Sequence, residues 1–145
     1  MSKLSYQRED QLDPEEFRQL LIDSTLGERR PVNDPTRIKN MVRFGNLIIT
    51  CREGELLVGV ARSLTDFAFC TYLSDLAVRK SYQHKGIGTE LIRETKRLTP
   101  LAKLILLSAP AAVDFYPKIG MRRHEQCYYI DSIDELRQDR SKKSK

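Results

Sequence analysis

A strand, a polar turn, two glycines one residue apart and an amphipathic helix follow one another across residues 74–91, and this succession narrows the possible folds more than any other feature of the 145-residue chain. Leu76, Ala77 and Val78 close an apolar stretch. Gly86-Ile87-Gly88 then opens a helix predicted over 86–99, with Ile87, Leu91, Ile92, Thr95 and Leu98 on its inner face and Glu90, Arg93, Glu94, Lys96 and Arg97 on its wet face. Pro100 ends it, because the residue before a proline avoids the helical region. Leu104-Ile105-Leu106-Leu107 is apolar without alternation, which predicts a strand over 103–108 buried on both faces. Strand, helix and strand at this spacing form a βαβ unit, so segments 67–78 and 103–108 are predicted to run parallel.

The segments before this unit supply the rest of a sheet. Residues 4–7 suit a short first strand. Asp13-Pro14-Glu15-Glu16 is a helix start, with Asp as N-cap, Pro in the first helical position and Glu three residues after the cap. Asn33-Asp34-Pro35 starts a second helix in the same way, with Ile38, Met41 and Val42 on one face. Between them, 24–32 is a polar loop. Segments 47–51 and 56–64 flank the turn Glu53-Gly54 as a hairpin, and Thr65-Asp66 turns the chain into 67–78, giving an antiparallel meander. Further on, 114–119 reads as a short helix ended by Gly120 and 127–130 as a last strand. The predicted class is α+β: a mixed sheet, antiparallel first and parallel in the middle, with helices on both faces. A single domain is expected over 1–136.

Composition adds limits. A 40% hydrophobic and 31% charged chain of this length is an ordinary globular protein with room for a core. The apolar runs are too short to span a membrane, and the N-terminus lacks the apolar segment of a signal peptide, so a cytoplasmic protein with no membrane partner is expected. Cys51, Cys70 and Cys127 form no C-x-x-C pair, and Cys51 and Cys70 fall in strand-like apolar stretches, where a buried thiol is expected. His84 and His124 have no ligand spacing, so no metal is expected. Of the net charge of +5, residues 137–145 carry +4, leaving +1 on the rest. That tail reads as solvated and disordered. Since no nucleic-acid-binding motif precedes it, nucleic acid is an unlikely partner.

The turn Gln83-His84-Lys85-Gly86-Ile87-Gly88 has a physical logic of its own. Glycines let a backbone approach a ligand closely, and a helix N-terminus offers unpaired N–H groups and about half a positive charge. The corner suits an anion, a pyrophosphate above all, although a lone G-x-G also serves a tight structural turn. A P-loop needs G-x-x-x-x-G-K-[ST], which is absent. A dinucleotide fingerprint needs a third glycine where Leu91 stands.

Three segments taken together decide between these readings: Leu73-Ser74-Asp75-Leu76-Ala77-Val78, then Gln83-x-x-Gly86-x-Gly88, and later Phe115-Tyr116-Pro117-Lys118-Ile119-Gly120-Met121. In order and spacing they resemble the GNAT superfamily of N-acetyltransferases, over about residues 56–130. The resemblance implies that Gln83, Lys85, Gly86, Ile87, Gly88 and Thr89 cradle the pyrophosphate of acetyl-CoA. It implies that Leu76, Ala77 and Val78 hold the pantetheine arm by strand-like hydrogen bonds, on a strand that splays from its parallel neighbour. The chain departs from the family pattern at Ala109, where an Asn is frequent, and at Met121, where an aromatic is usual.

The chemistry implied is direct attack of an amine on the thioester in a ternary complex. An alkyl ammonium titrates near about 10.4, so a proton must leave before attack, and the CoA thiolate needs stabilising as it departs. Tyr116 matches the residue that in many relatives donates to the leaving sulfur. Asp75 matches an acidic base in several relatives, or serves instead as a structural acceptor at a bulge. The acceptor side corresponds to residues 24–44, where Glu28, Arg29 and Arg30 are the polar candidates. A small primary amine is the favoured acceptor. A peptide or protein amine, or a catalytically silent CoA-binding module, are the alternatives, and the chain is expected to be a monomer or homodimer.

Overall fold

Asp13 and Asp34 begin their helices as predicted. The Asp13 carboxylate accepts from the Glu16 amide at 3.0 Å and that of Asp34 from the Arg37 amide at 3.2 Å, each satisfying a donor that has no partner inside its helix. The computed structural model describes residues 3–139. It forms two compact units, one up to Ala109 and one from Pro110 onward, and each is described by itself.

The first unit is built on a five-stranded sheet in sequence order: β1 (Leu4–Arg8), β2 (Leu47–Glu53), β3 (Leu56–Thr65), β4 (Cys70–Val78) and β5 (Lys103–Ile105). β1 to β4 pair antiparallel, and β4 pairs with β5 in parallel. Helices α1 (Pro14–Asp23) and α2 (Pro35–Phe44) lie on one face. Phe17, Leu20, Leu21, Ile38 and Val42 meet Ile48, Leu57, Val60 and Ala77 there. Helix α3 (Ile87–Leu98) covers the other face, where Ile87 and Leu91 pack on Leu47, Ile49, Val58, Ala61 and Leu73. The alternation of Leu47, Ile48 and Ile49 sends successive side chains to opposite faces, so one strand feeds both cores. Gly59 sets the approach of α3. A Cβ there would stand 3.1 Å from both Ile87 Cγ2 and Leu91 Cδ1, closer than packed carbons sit.

The mixed sheet matches the predicted class, with three local differences. β4 begins at Cys70 and not at 67, because Asp66 Oδ1 accepts from the amides of Ala68, Phe69 and Cys70 at 2.9, 2.8 and 3.1 Å. Those amides are drawn into a tight loop instead of a ladder, Phe67 adopts a φ of +60°, and Cys70 is exposed, contrary to expectation. β5 is only three residues long and alternates: Leu104 and Leu106 are half-buried while Ile105 and Leu107 are exposed, which corrects the expectation of burial on both faces. In the second unit, segment 127–130 is not a strand. Among the described residues no strand pairs with it, and Tyr128 is 90% exposed. That unit holds one-turn helices at Pro110–Ala112 and Ile133–Glu135, and α4 (Phe115–Lys118). Gly120, at φ +98°, stops α4 as predicted. The tail beyond Asp139 lies outside the described residues.

The β4–β5 ladder sets up the functional end of the sheet. It joins Cys70, Thr71 and Tyr72 to Lys103, Leu104 and Ile105 and stops. β4 runs on from Leu73 to Val78 with β3 as its only strand partner, so the parallel pair parts where the sequence motif lies.

Candidate functional site

The turn between β4 and α3 is held from several sides. Gln83 Nε2 donates to the Val78 carbonyl at 2.9 Å, tying the turn to the end of β4. Arg79 Nε donates to the Leu57 carbonyl at 2.8 Å, and the Lys80 amide to the Asp23 carboxylate at 3.1 Å. The Tyr82 hydroxyl donates to Glu53, and that hydrogen bond, with desolvation, raises the phenol above its ordinary range. Lys85 Nζ stands 5.5 Å from the centroid of the Tyr82 ring. His84 and Gly86 take φ values of +64° and +85°, a left-handed pair of steps that swings the backbone into α3.

Gly86 is the N-cap of α3, and no side chain caps the helix. The first intrahelical bond runs from the Glu90 amide to the Gly86 carbonyl at 3.1 Å, so the preceding amides have no partner in the helix. The direction a Cβ on Gly86 would take is open for 4 Å. Uncapped donors, a glycine with open space beside it and the positive end of a three-turn helix fit an anion. Through Gln83 they are tied to the end of β4, whose pairing with β5 stops at Tyr72. Gln83, Gly86, Ile87, Gly88 and Thr89 thus come together at one corner. Leu76, Ala77 and Val78 line the adjoining strand, and Lys85 stands exposed at the rim.

Asp75 lies further back on the same strand, beside an irregularity: Arg62 pairs with Asp75 and Ser63 with Leu73, so Ser74 bulges from the ladder. The Asp75 side chain is fully buried. Its Oδ1 accepts from Arg30 Nε and its Oδ2 from Arg62 Nε. Arg62 also donates to the Met41 carbonyl at 3.1 Å and to Ser74 Oγ at 3.0 Å. Arg30 donates to the Ser74 carbonyl at 2.8 Å. A carboxylate engaged on both oxygens with no exposed surface has the surroundings of a structural acceptor at a bulge. It is not the open group that a direct base beside a thioester requires. Arg62 was not among the residues singled out from the sequence. The available signal was a pair of opposite charges, Arg62 and Asp75, each alone in an apolar strand, since buried charges require partners.

In the loop between α1 and α2, Glu28 and Arg29 are exposed, whereas Arg30 turns inward to the Asp75 cluster. In the second unit Tyr116 lies on α4, half-buried, edge-on to Phe115 with ring centroids 5.0 Å apart. Burial raises its hydroxyl pKa above the ordinary tyrosine range. Among the described residues no three His, Cys, Asp or Glu side chains gather as a metal site would need.

A family model described as an acetyltransferase (GNAT) domain matches residues 31–136. The chain belongs to the GNAT family. This GNAT chain is 26% identical over 107 residues to an uncharacterized N-acetyltransferase, ycf52, of Pyropia yezoensis, covering 69% of the chain and 60% of that protein. The ycf52 protein of Gracilaria tenuistipitata var. liui is also 26% identical, over 104 residues, with 69% and 57% covered. The chain thus spans about three-fifths of the length of these curated relatives. Among solved structures, a GNAT-family acetyltransferase from Streptococcus pneumoniae TIGR4 superposes with a TM-score of 0.70 at 19% identity, covering 92% of this chain and 100% of that one. The aminoglycoside N-acetyltransferase AAC(6')-Iy in complex with CoA superposes with a TM-score of 0.69 at 12% identity, covering 92% and 97%. At these identities the structures share the fold.

Proposed function

We propose that this GNAT protein is an acetyl-CoA-dependent N-acetyltransferase acting on a primary amine, a small molecule above all, from one catalytic domain over 1–136. The observation that carries the reading is the uncapped N-terminus of α3 at Gly86, set beside a β4 edge with no strand partner after Tyr72. The amides at Ile87, Gly88 and Thr89 would take the pyrophosphate, with Lys85 adding charge at the rim and Gln83 fixing the turn. The free side of Leu76–Val78 offers backbone groups to an extended arm. Bound acetyl-CoA would supply the acetyl thioester for the amine to attack.

The chain's own groups then divide the work. By its place in the motif Tyr116 would donate its phenol proton to the departing thiolate, a proton that any tyrosine carries at neutral pH. Backbone N–H groups of β4 would meet the oxyanion. Asp75 holds the frame, and the proton of the ammonium leaves to water. Glu28, exposed on the acceptor loop, provides a carboxylate for a cationic acceptor.

A thiol-release assay with acetyl-CoA and a panel of amines tests this reading directly. Turnover of at least one amine, lowered in Tyr116→Phe with acetyl-CoA affinity retained, is expected. No release with any amine, together with no thermal shift at saturating acetyl-CoA, would remove it.

A further inference from the structure

Arg30 leaves the loop between α1 and α2 and enters the β4 bulge. Its Nε donates to Asp75, its Nη2 to the Ser74 carbonyl at 2.8 Å, and its Nη1 back to the Arg29 carbonyl at 2.9 Å. One planar group thus joins two segments that lie 44 and 45 residues apart in sequence. A guanidinium has the fork geometry for this, and an ammonium does not. The Ser74 carbonyl needs such a donor because Ser74 is the residue that the irregular β3–β4 register leaves out.

The backbone bonds within the loop itself are local. Glu28 donates to Thr25, Arg30 to Gly27, Val32 to Arg30 and Asp34 to Pro31. Arg18 holds the Val32 carbonyl from α1 at 2.8 Å. Arg30 carries the loop's side-chain hydrogen bonds to β4, and Glu28 and Arg29, the two residues before it, are exposed. Arg62 differs. It is itself a residue of β3, and its bonds reach Met41 on α2 and Ser74 on β4, so it braces the sheet against a helix and not against the loop.

We propose that Arg30 is a positioning residue for the acceptor. By clamping loop 25–34 onto the Ser74–Asp75 bulge it fixes where Glu28 and Arg29 stand relative to β4, and thereby sets acceptor affinity. The proposal rests on the acetyl-transfer reading above. It assigns Asp75 a purpose in that reaction, since the carboxylate orients the guanidinium that seats the acceptor loop.

Arg30→Lys keeps the charge and loses the fork, and it is measured in two ways. In steady-state assays with the best amine of the panel, the acceptor KM is expected to rise by about tenfold, the mark of lost binding that ground state and transition state share. The kcat and the acetyl-CoA affinity stay at wild-type values. In hydrogen exchange without substrates, the amides of 25–34 exchange faster while those of β2 and β3 do not change. An unaltered acceptor KM, or unaltered exchange in the loop, overturns the proposal. A matching loss of acetyl-CoA affinity also overturns it, because general loosening would then explain the effect. If the wild-type chain binds no acetyl-CoA, the acetyl-transfer reading itself falls, and the exchange measurement still decides whether Arg30 clamps the loop.

Discussion

The Asp75 cluster and the α3 corner both concentrate strong hydrogen-bonding groups next to β4, and they dispose of them in opposite ways. Around Asp75 both carboxylate oxygens, two guanidinium groups and the bulged Ser74 carbonyl are matched to one another inside the protein. At the corner, Gly86 removes the side chain that would cap α3 and leaves the space beside it open. The first arrangement makes a frame, because breaking it strands a buried charge. The second suits a binding site, because donors without a partner inside the helix are open to an acceptor from outside the chain.

The difference predicts a ranking of substitutions. Asp75→Ala leaves two guanidinium groups without their shared carboxylate. It should cost about 3–5 kcal/mol of folding stability, read from denaturant midpoints. A loss below about 1 kcal/mol, the scale of exposed pairs, would show that the cluster is not a frame. Gly86→Asp should do the reverse. It costs at most about 1 kcal/mol of stability, since Asp tolerates a left-handed φ and can cap α3, yet its carboxylate would weaken acetyl-CoA binding by about tenfold or more, measured by calorimetry. If Gly86→Asp binds acetyl-CoA as wild type does, the corner is a structural turn.

Glu9 offers a third case between these two. Glu9, one residue past β1, and Glu16 of α1 share Arg52 of β2. The Arg52 hydrogen bond, with further ones from Thr50 and Gln7, lowers Glu9 from 4.5 to about 2. A depressed carboxylate stabilises the fold above its ordinary value and stops doing so as pH falls towards about 2. Glu9→Gln should therefore flatten that part of the acid-unfolding curve and leave the neutral corner chemistry untouched. An identical acid profile would separate Glu9 from the frame. The smallest effect is expected at Lys85, exposed at the rim. Lys85→Ala should reduce acetyl-CoA affinity a few-fold, with a shallower dependence on salt.

The same contrast explains what the sequence could show. The corner was legible because its signals are local: glycine spacing, a helix start and a preceding apolar strand lie within twenty residues. So were the Asp13 and Asp34 caps, whose donors are three residues away. The Asp75 cluster was legible only in part, since its partners come from the loop between α1 and α2 and from β3. No local pattern states that Arg30 and Arg62 converge on one carboxylate. Strand ends were blurred for a related reason. Asp66 takes three amides from what the apolar pattern marked as strand, and the exposure of Ile105 and Leu107 follows from an edge that periodicity alone does not reveal. Tyr116 was legible by motif, and its half-burial, which raises the phenol pKa, was not.

Hydrogen exchange of the wild-type chain with and without saturating acetyl-CoA is the most direct test of the corner as the cofactor site. Slowed exchange is predicted at the amides of 86–89 and along 73–78. Acetyl-CoA binding that leaves 86–89 unprotected, or no binding at all, would contradict it.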